Sequence, residues 1–433
     1  MYSVEYNKKL TNPDQAVELV ESGNTMVHGV ANCEPPALLE AVARRVRGGK
    51  LSDLKVYSLH PIQHAANTVL TPDLNDRIAS YSWFLTASDR ELVKAGIDFF
   101  IPNELHHVPR LCREFMNIDV TMTTVSPMDK AGFFSFGVAN LHIPIAARHC
   151  KRLIVEVNPN MPRVFGDSFV HISEIDAIVV NEVELPEILS APLEPESEII
   201  GRRIAEMIPD GATIQIGVGG IPDAVTKYLE NHKDLGIHTE ILTPGMIDLV
   251  KKGVINGKRK SIHPRKHIFT GVIGHKESYE FVNDNPSMES YPVCYTNDPR
   301  VIAQNENMIS VNSTIEVDLT GQCNSEFLAG MEFSGTGGQL DFVRGAFESK
   351  GGKSFIAFYS TAKKGEISRI VPQFEPGAVV TTPRMDVHYL ATEYGIVNLM
   401  GKSTHDRALD LISIAHPKFR DDLLNEAKKL RII

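Results

Sequence analysis

The stretch Ile204–Val225, IAEMIPDGATIQIGVGGIPDAV, has a relative near the start of the chain, Ala16–Leu39, AVELVESGNTMVHGVANCEPPALL. Both run helix end, Gly, strand, Gly-Val turn, Pro, helix start. Gly23 aligns with Gly211, and Gly29 with Gly217. The following strands also correspond, Asp53-Leu54-Lys55-Val56-Tyr57 against Asp234-Leu235-Gly236-Ile237-His238. Part of this likeness is what any two βαβ units share. The matched order predicts two similarly folded domains.

Working outward, apolar runs of strand length alternate with longer amphipathic stretches, the pattern of a parallel α/β architecture. Thr25–Val30, Leu54–Leu59, Leu153–Val157 and Ala177–Val180 read as strands in the first half. Thr213–Val218, Ile237–Leu242, Ile268–Ile273 and Ala378–Thr381 read as strands in the second. Pro36–Arg47 carries Leu38, Leu39, Val42 and Val46 at helical period. Ala205–Ile208, Asp223–Glu230 and Arg420–Leu430 also read as helical. Between the halves, Glu182–Glu198 holds Pro186, Pro192, Pro195 and six glutamates, the composition of an exposed connector. The expected fold is two open α/β domains with mainly parallel sheets, residues 1–195 and 196–433, and an active site in the crevice between them.

The 433 residues agree with two or three domains at about 150 residues each. With 42% hydrophobic and 23% charged residues the chain can bury a sizeable core. Lys+Arg 44 against Asp+Glu 54 leaves a net charge of -10, which lacks the footprint of a nucleic-acid binder. Cys33, Cys112, Cys150, Cys294 and Cys323 are scattered and form no CxxC pair, so neither a disulfide framework nor a zinc ribbon is expected. The N-terminal MYSVEYNKKLTNPDQ has no apolar signal core, and no apolar run reaches a bilayer's span. A cytoplasmic protein without membrane or nucleic-acid partners is expected.

No GxSxG elbow, GxxxxGK[ST] loop or HExxH site is present. His106-His107 and His149 sit in no ligand-like spacing, so no metal is expected. Gly217-Val218-Gly219-Gly220-Ile221-Pro222 follows a strand and precedes a helix. Such a turn lets backbone amides approach an anion or a thioester oxygen, or it is simply a tight connection. Ser334-Gly335-Thr336-Gly337-Gly338-Gln339 precedes Leu340–Gly345, placing four glycines among residues 335–345. They suggest a backbone surface against an extended ligand, or a flexible loop. Glu240 follows the strand Gly236-Ile237-His238-Thr239, at the strand end that faces the ligand crevice in open parallel sheets. Its repeat counterpart is about Leu59, so the second half alone places a carboxylate there, as a nucleophile or an ion-pairing group.

Together these segments resemble the acetyl-CoA hydrolase/transferase branch of family I CoA-transferases, in particular 4-hydroxybutyrate and butyryl-CoA:acetate CoA-transferases. The resemblance spans essentially the whole chain. It includes Thr124–Asp129 with Gly132, Ser135-Phe136-Gly137, Asn158–Pro162, Phe165-Gly166-Asp167 and the Gly217–Pro222 loop. It continues through His238-Thr239-Glu240, Asn312–Asp318, the Ser334–Phe342 loop and Thr392–Val397. The resemblance implies a ping-pong exchange of CoA between an acyl-CoA (butyryl-, 4-hydroxybutyryl- or acetyl-CoA) and a short-chain carboxylate such as acetate. Acyl-CoA hydrolysis is the alternative, with water as the final acceptor. A catalytically silent CoA- or nucleotide-binding regulator would keep the glycine loops without requiring Glu240.

The resemblance also assigns roles. Glu240 is the nucleophile that passes through a glutamyl-CoA thioester. Asn297, in Thr296-Asn297-Asp298-Pro299, is the oxyanion amide, and the Gly338 N–H shares that task and touches CoA. Gly217, Val218, Gly219, Gly220, Ile221, Ile315 and Lys363 are CoA contacts. Lys363 meets a CoA phosphate or is a solvated charge, and Ala362-Lys363-Lys364 permits a one-residue slip. Coenzyme A is substrate, no prosthetic group is implied, and a homo-oligomer, dimer or tetramer, is expected.

Overall fold

A computed structural model describes residues 2–188 and 192–433. The chain forms two compact units. The first comprises Met1–Ile188, Ile268–Thr296 and Glu332–Gly335, and the second Leu189–His267, Asn297–Met331 and Thr336–Ile433. The chain therefore returns to the first unit twice after leaving it near residue 189. Of the connector expected over 182–198, residues 189–191 lie outside the described residues, and Pro195 already starts a helix, Pro195–Ala205. Proline suits a first helical turn, where its missing N–H would have no intrahelical partner anyway.

The first unit is built on seven strands: β1 (Thr25–His28), β2 (Leu54–Ser58), β3 (Ile78–Ser82), β4 (Asp98–Phe100), β5 (Val120–Val125), β6 (Arg152–Val157) and β7 (Ala177–Val180). Their order is β7-β6-β5-β1-β2-β3-β4, and every pairing is parallel. Met26, Val56, Val120, Met122 and Ile154 build the core with helix α1 (Pro36–Arg47), whose Leu38, Leu39, Val42 and Val46 are fully buried. Each such side chain contributes about 1.5–3 kcal/mol by leaving water. Pro35 offers no side-chain acceptor at the start of α1. Instead the Leu38 N–H donates to Glu156 Oε2 at 3.1 Å, so a buried carboxylate satisfies the helix end. Burial pushes that carboxyl up to about 7.

The second unit carries β8 (Thr213–Ile216), β9 (Gly236–Ile237), β10 (Met308–Ser313), β11 (Lys353–Ala357), β12 (Tyr389–Thr392) and β13 (Gly395–Asn398). Their order is β9-β8-β10-β11-β12-β13, parallel except for the β12–β13 hairpin. The internal repeat is visible in the backbone. Gly23 and Gly211 have φ of 82° and 79°, and Asp53 and Asp234 have 58° and 57°. β8 lies between β9 and β10 as β1 lies between β2 and β5.

Three expected strands and one expected helix differ. Ile237–Leu242 is interrupted after Ile237 and resumes at Ile241–Leu242, because the chain bends at Glu240. Ile268–Ile273 is likewise divided into His267–Phe269 and Gly271–Val272. Ala378–Thr381 is irregular, and the neighbouring Thr382 bridges to Cys323. The helical reading at Ala205–Ile208 caught only the end of helix α2 (Pro195–Ala205). All five cysteines are free thiols, and among the described residues no helix is long and apolar enough to cross a membrane.

Candidate active site

The second unit brings Glu240, Asn297 and Gly338 together. Lys260 is buried and donates from Nζ to the carbonyl of Ile237 at 2.7 Å, fixing the end of β9. Past that point Thr239 Oγ1 donates to the Ile241 carbonyl at 3.1 Å, and the bend between them carries Glu240 out of the sheet. His238 is buried against Phe342, ring centroids 6.4 Å apart.

Asn297 is fully buried and lies immediately before Asp298, whose side chain caps the short helix Pro299–Ile302 by accepting from the Arg300 N–H. Asn297 Nδ2 donates to Glu240 Oε2 at 2.7 Å, and its contact with Asp341 Oδ2 is 3.5 Å. Gly338 precedes helix α4 (Gln339–Glu348), and its backbone lies against Glu240 Oε2, where it favours the ionised carboxylate. A Cβ at Gly338 would overlap Glu240 Oε2 and Asn297 Nδ2. Glycine is required there for close approach, since its φ of −91° is open to any residue.

Burial raises the Glu240 carboxyl to about 7. Asn297 pulls it back by stabilising the anion, the Asp341 carboxylate pushes it up, and Gly338 pulls it down. A carboxylate attacks only as its anion, so a half-reaction that passes through Glu240 should rise with pH and level off above about 7. Asp341→Asn removes the carboxylate that raises Glu240 and should move the midpoint of that acid limb to lower pH. Single-turnover rates from pH 5.5 to 9 check this, and an unmoved midpoint would show Asp341 has no electrostatic hold on Glu240.

The other expected residues lie elsewhere in the same unit. Gly217–Ile221 connects β8 to α3 (Gly220–Tyr228), with Gly219 at φ 128° and Val218 exposed. A Cβ at Gly220 would stand 3.4 Å from Ser197 Oγ and from Tyr359 Oη. The Ile315 N–H donates to the Asn324 carbonyl, and Lys363 and Lys364 are exposed at a hairpin tip, both with positive φ. The glycines of 335–345 do not act as one surface. Gly335 abuts Phe84 and the Trp83 carbonyl within the first unit, and Gly345 packs on Ile302, leaving Gly338 against Glu240.

Sequence reasoning missed Asp341, Lys260 and Glu326, since a carboxylate inside an apolar helix turn and single charged residues in loops carry no motif. It also missed that Glu104 Oε2 lies 3.9 and 3.7 Å from Nδ1 of His106 and His107, placing one ligand-type atom from each within 4.8 Å of the others. His149 is an exposed helix residue whose Nδ1 is 2.8 Å from the Ile145 carbonyl.

A strand-end glutamate that accepts from a buried asparagine amide and packs against a glycine backbone, on a repeated parallel α/β frame, has the groups that acyl transfer uses. Family models agree: residues 1–189 match the acetyl-CoA hydrolase/transferase N-terminal domain and residues 274–427 its C-terminal domain. The chain belongs to the acetyl-CoA hydrolase/transferase family. It is 42% identical over 432 residues to the succinyl-CoA:cyclohexane-1-carboxylate CoA transferase of Geobacter metallireducens, covering 100% of this chain and 98% of the relative. It is 43% identical over 425 residues to the 4-hydroxybutyrate coenzyme A transferase of Clostridium kluyveri, covering 98% of each. The crystal structure of RipA from Yersinia pestis superposes with a TM-score of 0.97 at 47% identity, covering 100% of both chains.

Proposed function

We propose that this chain moves CoA from a short-chain acyl-CoA to a carboxylate through a thioester on Glu240. The observation that carries the reading is that Asn297 Nδ2 donates to Glu240 Oε2 at 2.7 Å, with the Gly338 backbone packed against the same oxygen. A Glu240 oxygen attacks the thioester carbonyl carbon, the C–S bond breaks, and CoA leaves as thiolate with an acyl-glutamyl anhydride behind. The thiolate then attacks Cδ of Glu240, and the donor acid leaves as its carboxylate. The oxyanion formed at Cδ grows on the oxygen already held at 2.7 Å by Asn297, the placement such stabilisation needs. An incoming carboxylate reverses both steps. This divides one hard exchange into easier ones.

CoA is held by the Gly217–Ile221 turn, Ile315, Gly338 and Lys363 in this reading, and its distant binding energy is used at the thioester. Butyryl-, 4-hydroxybutyryl- and acetyl-CoA are the donors to test first, against a panel including acetate. Parallel initial-rate lines and a CoA-sized mass adduct on Glu240 are expected; intersecting lines without an adduct would overturn the proposal.

The family description names hydrolysis beside transfer, so water competes for the same intermediate. Glu240→Asp retracts the carboxylate by one methylene, and about 1 Å of misplacement costs on the order of a hundredfold in rate. The shorter side chain leaves room for water beside its thioester, while transfer still needs an oriented carboxylate. The ratio of CoA release to acyl exchange should therefore rise in Glu240→Asp. An unchanged ratio would remove the geometric argument, and a wild-type ratio above one would favour the hydrolase.

A further inference from the structure

The loop that presents Gly338 is tied to the body of the second unit on both sides. Two residues before Gly338, Thr336 Oγ1 donates to Glu326 Oε2 at 3.0 Å. The other oxygen, Glu326 Oε1, accepts from Thr381 Oγ1 at 3.1 Å. One residue after Gly338, Gln339 Nε2 donates to Thr382 Oγ1 at 3.2 Å. Thr381 and Thr382 are themselves fixed, since both their N–H groups donate to the Cys323 carbonyl. Thr381 Oγ1 also accepts from the Ser325 N–H at 2.9 Å.

Glu326 is buried, and among the described residues no cation pairs with it. A buried carboxylate held by two hydroxyls is a costly way to fill space, and an apolar residue would do that more cheaply. What the carboxylate supplies is direction. In both contacts the threonine hydroxyl donates and the carboxylate accepts, so Thr336 can take few positions. Gly337, at φ 55°, would otherwise let the loop swing.

We propose that Glu326 is a positioning residue for the reaction: through Thr336, and anchored by Thr381, it holds the Gly338 backbone against the oxygen of Glu240. This rests on the proposed role of Glu240. The step it affects is formation and breakdown of the tetrahedral centre at Cδ of Glu240. Among the described residues the Glu326 carboxylate bonds only Thr336 and Thr381, and of the proposed CoA contacts it reaches Gly338 alone, so its loss is read more in kcat than in KM.

Thr336→Val removes one hydroxyl at nearly constant volume. Its kcat should fall about 10- to 100-fold, as expected for a misplacement approaching 1 Å. KM for acyl-CoA should stay within about threefold, and Thr336→Ser, which restores the donor, should recover most of the loss. Glu326→Gln keeps one accepting oxygen and should fall between. Thr381→Val tests the anchor should Thr336→Val fail to fold. Wild-type enzyme with a glutamyl-CoA adduct, together with variants that keep wild-type kcat, would overturn this inference alone. A loss that tracks Tm and is not recovered by Thr336→Ser would overturn it too. Wild type lacking both adduct and transfer would instead sink the reading of Glu240.

Discussion

Glu240→Ala is expected to abolish CoA transfer, by at least about a thousandfold, while the chain stays folded and still binds CoA. In the proposed covalent route Glu240 is the attacking group and Asn297 only donates to it, so nothing replaces the lost carboxylate. Stability should move the other way. Glu240 titrates in the folded chain near 7 rather than 4.5, so its contribution to stability is present below about 4.5 and lost as pH rises through about 7. At pH 8 the ionised group disfavours the folded state by about 3 kcal/mol, an order-of-magnitude figure at 1.36 kcal/mol per pH unit. Removing it should leave Tm at pH 8 no lower than wild type, the usual opposition between a tuned site and stability. Retention of a tenth of wild-type turnover would end the nucleophile assignment.

Gly338→Ala should be almost as damaging, for a steric reason confined to the site. The backbone at Gly338 has φ −91° and ψ 8°, which alanine adopts without strain. The added methyl, however, would overlap Glu240 Oε2 and Asn297 Nδ2 and lie 3.1 Å from Glu240 Cδ. The carboxylate must swing aside, away from both donors. Losing one oxyanion donor costs about 10²–10³ in kcat, and here the nucleophile is displaced as well. We expect kcat down at least a hundredfold with Tm close to wild type, measured by single-turnover kinetics and thermal unfolding. A variant retaining a tenth of the rate would mean the donors are not aimed at Glu240.

The alternation of strands and helices was legible because it is local. Pro36–Arg47 was readable to the residue, since a proline start, four apolar positions at helical spacing and an arginine-rich last turn agree with one another. The repeat was legible through its glycines and aspartates, where the backbone demands positive φ at matched places. The strand reading of Ile237–Leu242 failed because His238 and Thr239 suit a strand by type. One tertiary hydrogen bond, from Lys260 to Ile237, and one local one, from Thr239 Oγ1 to the Ile241 carbonyl, decide that the chain bends instead.

The site divides along the same line. From the amino-acid order alone came the parallel α/β class, the doubled βαβ unit, a glutamate at a strand end, and the motifs that tied Asn297 and Gly338 to it by resemblance. Tertiary structure decided that these three touch, that Asp341 stands behind the amide, and that Glu326 braces the loop. Asn297 and Glu240 are 57 residues apart in the chain, and Asn297 and Asp341 are 44 apart. Periodicity and capping act over a few residues, so they can specify an element but not which distant side chain it will meet. A nucleophile's basicity depends on burial and on those distant neighbours, and neither exists until the chain has folded.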